Sequence, residues 1–303
     1  MIPRREFITL LGCAASWPLA ARAQQRDRVR RIGVLHGRDE NDPVAKTFVS
    51  AFSQALADLG WTDGRNVRME LRLGGGDINR IRASAQELVG LQPDIILTGT
   101  TPATAALQRE TRTIPIVFAG AGDPVASGLV PRLDRPSGNV TGFALYEASL
   151  GGKWLELLSE IAPGLKRAAI MFNPDTAPVS TFMSSLETAA RSLKVVPIPA
   201  PVHSDVEIEA AIVALGHEPG GGLIAMPDPF MSTHRAPTIL AAVRNNVPAV
   251  YSASFLARDG GLLSYGFDHV DTWRRAASYA DRILRGAKPG ASRCSFRQNL
   301  RWS

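Results

Sequence analysis

Ile114-Pro115-Ile116-Val117-Phe118 is echoed by Val247-Pro248-Ala249-Val250-Tyr251. Each copy is a short apolar run entered through a proline, the pattern of a buried strand. The echo extends in both directions. Upstream, Arg31-Ile32-Gly33-Val34-Leu35 corresponds to Arg167-Ala168-Ala169-Ile170-Met171, and a helix from Ala45 to Leu59 corresponds to one from Ser180 to Leu193. Val67 to Leu71 has its counterpart in Val195 to Ile198, and the strand ending at Thr98 in Gly222 to Met226. Helical spacing fills Ile78 to Leu91 and Ala103 to Thr111. The offsets, between about 128 and 136 residues, are far longer than a solenoid repeat.

Apolar runs alternating with helical segments build parallel sheets with helices on both faces. The expected fold is therefore α/β, two similar doubly wound parallel-sheet lobes joined by a hinge. The first lobe covers 30–120 with part of a return at 253–289. A crossing segment and linking helix cover 121–165, and the second lobe covers 166–252. Gly128, Gly138, Pro124, Pro131 and Pro136 mark the crossing, and Pro163-Gly164 ends its helix. Sheets of this kind bind ligands beyond the carboxyl ends of their strands. Two such lobes facing one another enclose a cleft that closes by hinge motion.

The chain opens with Arg4-Arg5-Glu6-Phe7-Ile8, an apolar run to Ala20 and Ala21-Arg22-Ala23 before Gln24. A basic start, an apolar segment and small residues at a cleavage point make residues 1–23 an export leader, and the paired arginines suit the twin-arginine route. Pro18 and Arg22 interrupt the run well short of the roughly 20 residues of a membrane span. Leu10-Leu11-Gly12-Cys13 is a weaker candidate for lipid attachment. Cleavage at the later site removes Cys13 and leaves Cys294, which has no partner for an internal disulfide. The formal charge of +6 falls to about +4 when Arg4, Arg5, Glu6 and Arg22 are removed. No basic helix or aromatic-basic interleaving marks a nucleic-acid surface.

Several stretches together resemble one family. They are Asp123-Pro124-Val125, Gly128-Leu129-Val130, Arg135-Pro136-Ser137-Gly138-Asn139-Val140-Thr141-Gly142, Gly260-Gly261-Leu262 with Ser264-Tyr265-Gly266, and Arg274-Arg275-Ala276-Ala277 leading to Arg282-Ile283-Leu284-Arg285-Gly286-Ala287-Lys288-Pro289. From about Arg30 to Pro289 the chain resembles the ABC-transporter substrate-binding proteins of the two-lobed periplasmic class, in the group with tryptophan- and tyrosine-binding members. The resemblance implies capture of a small molecule, such as an amino acid or aromatic solute, and its delivery to a membrane permease and ATPase. It implies no chemistry on the ligand, no cofactor and a monomeric state. A ligand sensor on the same two lobes is the alternative. An exported hydrolase is a third reading, for which no nucleophile, base and orienting group can be assembled.

The loops after the strands supply the candidate ligand-binding residues. Thr98, Gly99, Thr100 and Thr101 precede a helix, where hydroxyls and helix-start amides receive a carboxylate or simply cap the helix. Asp123 can pair with a ligand ammonium or make an Asp-Pro turn. His36, Gly37 and Arg38 in the first lobe stand opposite Asn173 and Asp175 in the second, with Asp228 and Phe230 after the third strand there. Phe230, Tyr251 and Tyr265 can stack on an aromatic ligand. The five histidines show no metal-ligand spacing, and Gly74-Gly75-Gly76 and Gly220-Gly221-Gly222 lack the residues of a phosphate loop.

The resemblance breaks after Pro289. Family members continue with a stretch like Pro-Val-Gln-x-Pro-Thr-Lys-Phe-Glu and a helix, whereas this chain runs Arg293-Cys294-Ser295-Phe296-Arg297-Gln298-Asn299-Leu300-Arg301-Trp302-Ser303. Codons permitted for those residues, read one nucleotide earlier, spell Pro-Val-Gln-Leu-Pro-Thr-Lys-Phe-Glu-Met-Val. A one-nucleotide slip between Pro289 and Arg293 accounts for this, at the expected cost of a hinge-crossing strand and its helix.

Overall fold

The computed structural model describes residues 28–302 except 137, 146, 178, 292 and 297–299. The predicted leader lies outside the described residues. The chain forms two six-stranded sheets whose five main strands follow the same order. In the first, β1 (Arg30–His36), β2 (Val67–Leu73), β3 (Ile95–Thr98), β4 (Ile116–Ala121) and β5 (Val140–Ala144) lie in the order β5-β4-β3-β1-β2, all parallel. In the second, β6 (Arg167–Phe172), β7 (Val196–Pro201), β8 (Gly221–Ala225), β9 (Ala249–Tyr251) and β10 (Leu263–Phe267) lie in the order β10-β9-β8-β6-β7, again parallel. The winding reverses between β1 and β3 and between β6 and β8, the position at which such sheets open a ligand crevice.

The intervening helices follow the predicted spacing. In the first lobe they are α1 (Pro43–Asp58), α2 (Ile78–Gly90) and α3 (Thr101–Glu110). Asp42 caps α1 ahead of Pro43, and Ala45, Phe48, Phe52 and Leu56 form its buried stripe. The second lobe carries α4 (Leu150–Ile161), α5 (Ser180–Leu193), α6 (Asp205–Gly216), α7 (Pro229–Thr233), α8 (Arg235–Arg244) and α9 (Ser254–Arg258). The last helix, α10 (His269–Leu284), returns to the first lobe. It packs on α1, bringing Trp273 against Phe48 and Phe52. Among the described residues no helix is long and apolar enough to cross a membrane.

β7 reads Val196-Pro197-Ile198-Pro199-Ala200-Pro201 and pairs only with β6. Prolines at alternate positions remove donors from this edge and so protect it against further pairing.

The sheets divide the chain differently from the sequence reading: the second sheet extends past residue 252 to β10, and α4 packs in the second lobe. β5, which that reading leaves inside the crossing segment, is a strand of the first sheet beside β4. The first crossing is thus confined to the residues between Ala144 and Leu150, and the second to Asp268, between β10 and α10.

The expectation that the unusual tail costs a hinge-crossing strand is corrected by a third connection. β11 (Ser295–Phe296) pairs parallel to β5, and β12 (Leu300–Trp302) pairs antiparallel to β10. Strand pairing is made by the backbone, so a tail without the family's side chains still adds an edge to each sheet.

Candidate ligand-binding cleft

Both sheets direct the carboxyl ends of their strands at one cleft, which encloses about 580 Å³ of free space, part of it open to solvent. The first lobe contributes His36 at the end of β1, Gly99, Thr100 and Thr101 after β3, and Gly120 and Gly122 around the end of β4. The second contributes Thr176, Asp228 and Ser252 from the loops after β6, β8 and β9. Phe48, Phe255 and His269 form an aromatic wall, with His269 stacked on Phe48 at 5.6 Å and edge-on to Phe255 at 5.9 Å.

The threonines cap and present at once. Thr100 is the N-cap of α3, its Oγ1 accepting from the Ala103 N–H at 3.4 Å. Thr101 Oγ1 accepts from the Gly122 N–H at 2.8 Å, which ties the loop after β4 to the start of α3.

Arg38 is buried between the two aromatic rings, its guanidinium 4.3 Å from the centre of Phe255 and 5.5 Å from that of Phe48. It donates to Asp42 Oδ2 at 2.8 Å. Burial works to raise the Asp42 carboxyl, but the charge and hydrogen bond of Arg38, the Val44 N–H and Arg235 hold it below the usual carboxylate range.

Asp228 is the acidic counterpart on the second lobe. Its Oδ1 accepts from the Met231 N–H at 2.7 Å and from Thr176 Oγ1 at 3.3 Å, and its Oδ2 from the Asn173 N–H at 3.3 Å. Burial pushes its carboxyl up to about 7, against the pull of these donors and the Phe230 N–H. No cation is paired with it among the described residues.

The two histidines remain neutral at pH 7. Burial, then Arg38 and His269, push the His36 imidazole well below its ordinary value. Burial and Arg38 push His269 down to about 4, against the Phe267 carbonyl and Asp268.

Of the residues predicted from sequence, His36, Thr100, Thr101 and Asp228 line this cleft. Thr98 is buried one residue before Gly99 and does not line it. Asn173 stands behind Asp228, where its Nδ2 donates to the Val202 carbonyl at 3.0 Å and its Oδ1 accepts from Asp175 and Thr176. Phe230 stacks on His234 at 4.1 Å in a neighbouring recess with Gly75 and Gly76. Asp123 makes the Asp-Pro turn, its Oδ1 accepting from the Val125 and Ala126 N–H groups at 3.0 Å.

The two tyrosines are placed elsewhere. Tyr251 is buried against Gly261, and burial pushes its phenol up. Tyr265 is at the foot of α4, where its carbonyl accepts from Trp154 Nε1 at 2.7 Å.

Sequence reasoning left Arg38 as a neighbour of the site and omitted Phe48, Thr176, Ser252, Phe255 and His269. Ser252 was within reach, because it follows the second copy of the repeated strand. Phe48 was not, since it shares one helical stripe with the core residues Phe52 and Leu56.

Among the described residues no group of three or more histidines, cysteines and acids can hold a metal ion.

Comparison with known proteins agrees with this architecture. The chain is 26% identical over 245 residues to a tyrosine-binding protein of Clostridioides difficile, covering 79% of this chain and 68% of that one. A conserved domain protein from Vibrio cholerae superposes with a TM-score of 0.83 at 25% identity, over 91% of both chains. An ABC domain from Streptococcus pneumonia in complex with L-Trp superposes with a TM-score of 0.80 at 22% identity, over 88% of this chain and 89% of that one. The model of the ABC transporter substrate binding protein family matches residues 40–301. Two wound lobes, a cleft at both switch points and a family match across most of its length establish that the chain belongs to the ABC transporter substrate binding proteins.

Proposed function

We propose that this chain is the solute-binding component of an ABC importer, and that it captures an aromatic amino acid, tyrosine or tryptophan, between its lobes. The observation that carries the reading is the buried Asp228 carboxylate, which lines the cleft with no paired cation among the described residues, while Arg38 lines it from the other lobe. A buried carboxylate is stable when a cation completes it, and an α-ammonium supplies one. The ligand carboxylate then belongs with the donors of the first lobe, and Phe48 and Phe255 offer aromatic surface to its side chain.

The tyrosine-binding relative and the L-Trp complex support the same ligand class. The leader at residues 1–23 carries the protein to the periplasm. There it acts as a monomer of two lobes, divided at the crossing segment, and passes its ligand unchanged to a permease and ATPase.

Thermal unfolding of residues 24–303 against a panel of amino acids and small solutes tests the reading. Tyrosine or tryptophan is expected to raise the transition saturably, by about 2.7 kcal/mol at a hundredfold excess over Kd. A cooperative transition that none of the aromatic amino acids moves would refute it.

A further inference from the structure

The loop after β1 determines which nitrogen of His36 carries the proton. Nδ1 accepts a hydrogen bond from the Arg38 backbone N–H at 3.1 Å, so it holds a lone pair. A neutral ring with a bare Nδ1 has its single proton on Nε2. Burial and the neighbouring Arg38 keep the ring in that neutral form.

The ring is also held in orientation. Trp273 packs on it at 5.4 Å and Phe48 at 6.0 Å. Its Cδ2–Nε2 edge faces Gly99, a cleft-lining position where a Cβ would stand 2.6 Å from Nε2. The absence of a side chain at Gly99 leaves this donor edge beside the cleft.

The hydroxyl groups nearby have the same polarity. Thr100 and Thr101 each use the oxygen to accept a backbone N–H, which leaves each O–H to donate. The first-lobe wall is therefore composed of donors, and the second-lobe wall offers the acceptor Asp228.

We propose that His36, as a neutral donor through Nε2–H, is a specificity-determining residue that recognises the carboxylate of the ligand and fixes its orientation, carboxylate to the first lobe and ammonium to the second. The assignment rests on the amino-acid reading above. It demands that a ligand carry an acceptor at this end, so the decarboxylated amines tyramine and tryptamine bind more weakly than the amino acids although they keep the ammonium and the ring.

Calorimetric titration of L-tyrosine, L-tryptophan, tyramine and tryptamine into the wild type, His36→Leu and His36→Gln tests this. Circular dichroism on each variant checks the fold. Loss of one hydrogen bond to a charged group is expected to weaken amino-acid binding by ~10- to 100-fold in His36→Leu, with amine binding unchanged. His36→Gln, whose amide N–H can reach the place of Nε2–H, is expected to recover part of that loss.

Wild-type affinity for the amines equal to that for the amino acids would overturn the assignment, as would a His36→Leu variant that weakens both classes equally. Amino-acid binding unaffected in both folded variants would overturn it as well. A wild type that binds none of the four compounds would overturn the amino-acid reading itself, and this assignment with it.

Discussion

Asp42 and Arg235 meet across the two lobes in a two-point ion pair, with Nη2 3.0 Å from Oδ1 and Nη1 3.2 Å from Oδ2. Asp42 caps the first helix of one lobe and Arg235 begins a helix of the other. The same carboxylate receives Arg38 from the cleft wall, and Arg235 also binds Asp259 at 2.6 Å. A fork-to-fork pair of this kind carries direction as well as charge. It links closure of the lobes to the position of the arginine that lines the site.

The pair predicts two distinct phenotypes. Asp42→Ala removes a helix cap and the ion pairs that Asp42 makes with Arg38 and Arg235, at an expected cost of about 3–5 kcal/mol in denaturant unfolding. Arg235→Ala leaves Arg38 paired. It is expected to act on the balance between open and closed lobes, with a larger radius of gyration in solution scattering and about tenfold weaker binding. Equal losses of stability in the two variants, with binding unchanged in Arg235→Ala, would contradict this division of roles.

The pH dependence of stability reports on Asp228. Its carboxyl, at about 7, is raised above the unfolded value of 3.8, so the folded state holds a proton that the unfolded state has already lost. Its contribution to stability is therefore greatest below the unfolded value and is lost as pH rises through about 7. Asp228→Asn lacks this contribution. Unfolding of wild type and variant at pH 5 and pH 8 is expected to show the wild type losing stability relative to the variant at the higher pH. A constant difference would mean that the group is not buried as described.

Gly142 and Gly266 each lie against the backbone of the neighbouring strand or its end, one beside Phe118 and one beside Ser252. A Cβ at Gly142 would stand 2.0 Å from the Phe118 carbonyl oxygen, and one at Gly266 would stand 1.8 Å from that of Ser252. Backbone cannot yield as a flexible side chain does, so Gly266→Ala is expected to cost more than ~3 kcal/mol. Gly164 meets nothing within 4 Å and has no positive φ, so it serves as the control site for a substitution. An unchanged transition temperature in Gly266→Ala would contradict the strand placement.

The tail makes a separate prediction. Deleting 294–303 removes β11 and β12 and uncovers one edge of each sheet, so a lower transition temperature is expected. Replacing the tail by Pro-Val-Gln-Leu-Pro-Thr-Lys-Phe-Glu-Met-Val is expected to raise it above that of the natural chain. Sequencing across the codons for Pro289 to Arg293 checks the slip in reading frame directly, and an uninterrupted frame removes the basis for it.

The parts of the fold that were legible are those in which burial and period coincide. β3 and β4 are buried along their whole length, and such strands appear in sequence as unbroken apolar runs. β5 is as buried, but Val140-Thr141-Gly142-Phe143-Ala144 contains a glycine and a threonine, and the run resembles a loop. Of the candidate residues, Thr100, Thr101 and Asp228, in loops after parallel strands, line the cleft, whereas the aromatic candidates do not. Tyr251 and Tyr265 serve the second lobe's interior, while the rings that reach the cleft come from helix faces and from the return segment, whose approach depends on how the two lobes close.

The measurement that tests the central claim most directly is calorimetric titration of L-tyrosine and L-tryptophan into the wild type and into Asp228→Asn at pH 8. The account predicts one site per chain in the wild type and at least ~100-fold weaker binding in the variant, since a charge pair in a desolvated cleft is lost. Tight binding by both proteins would contradict the placement of the ligand ammonium on Asp228. No binding by a folded wild type would contradict the amino-acid cleft as a whole.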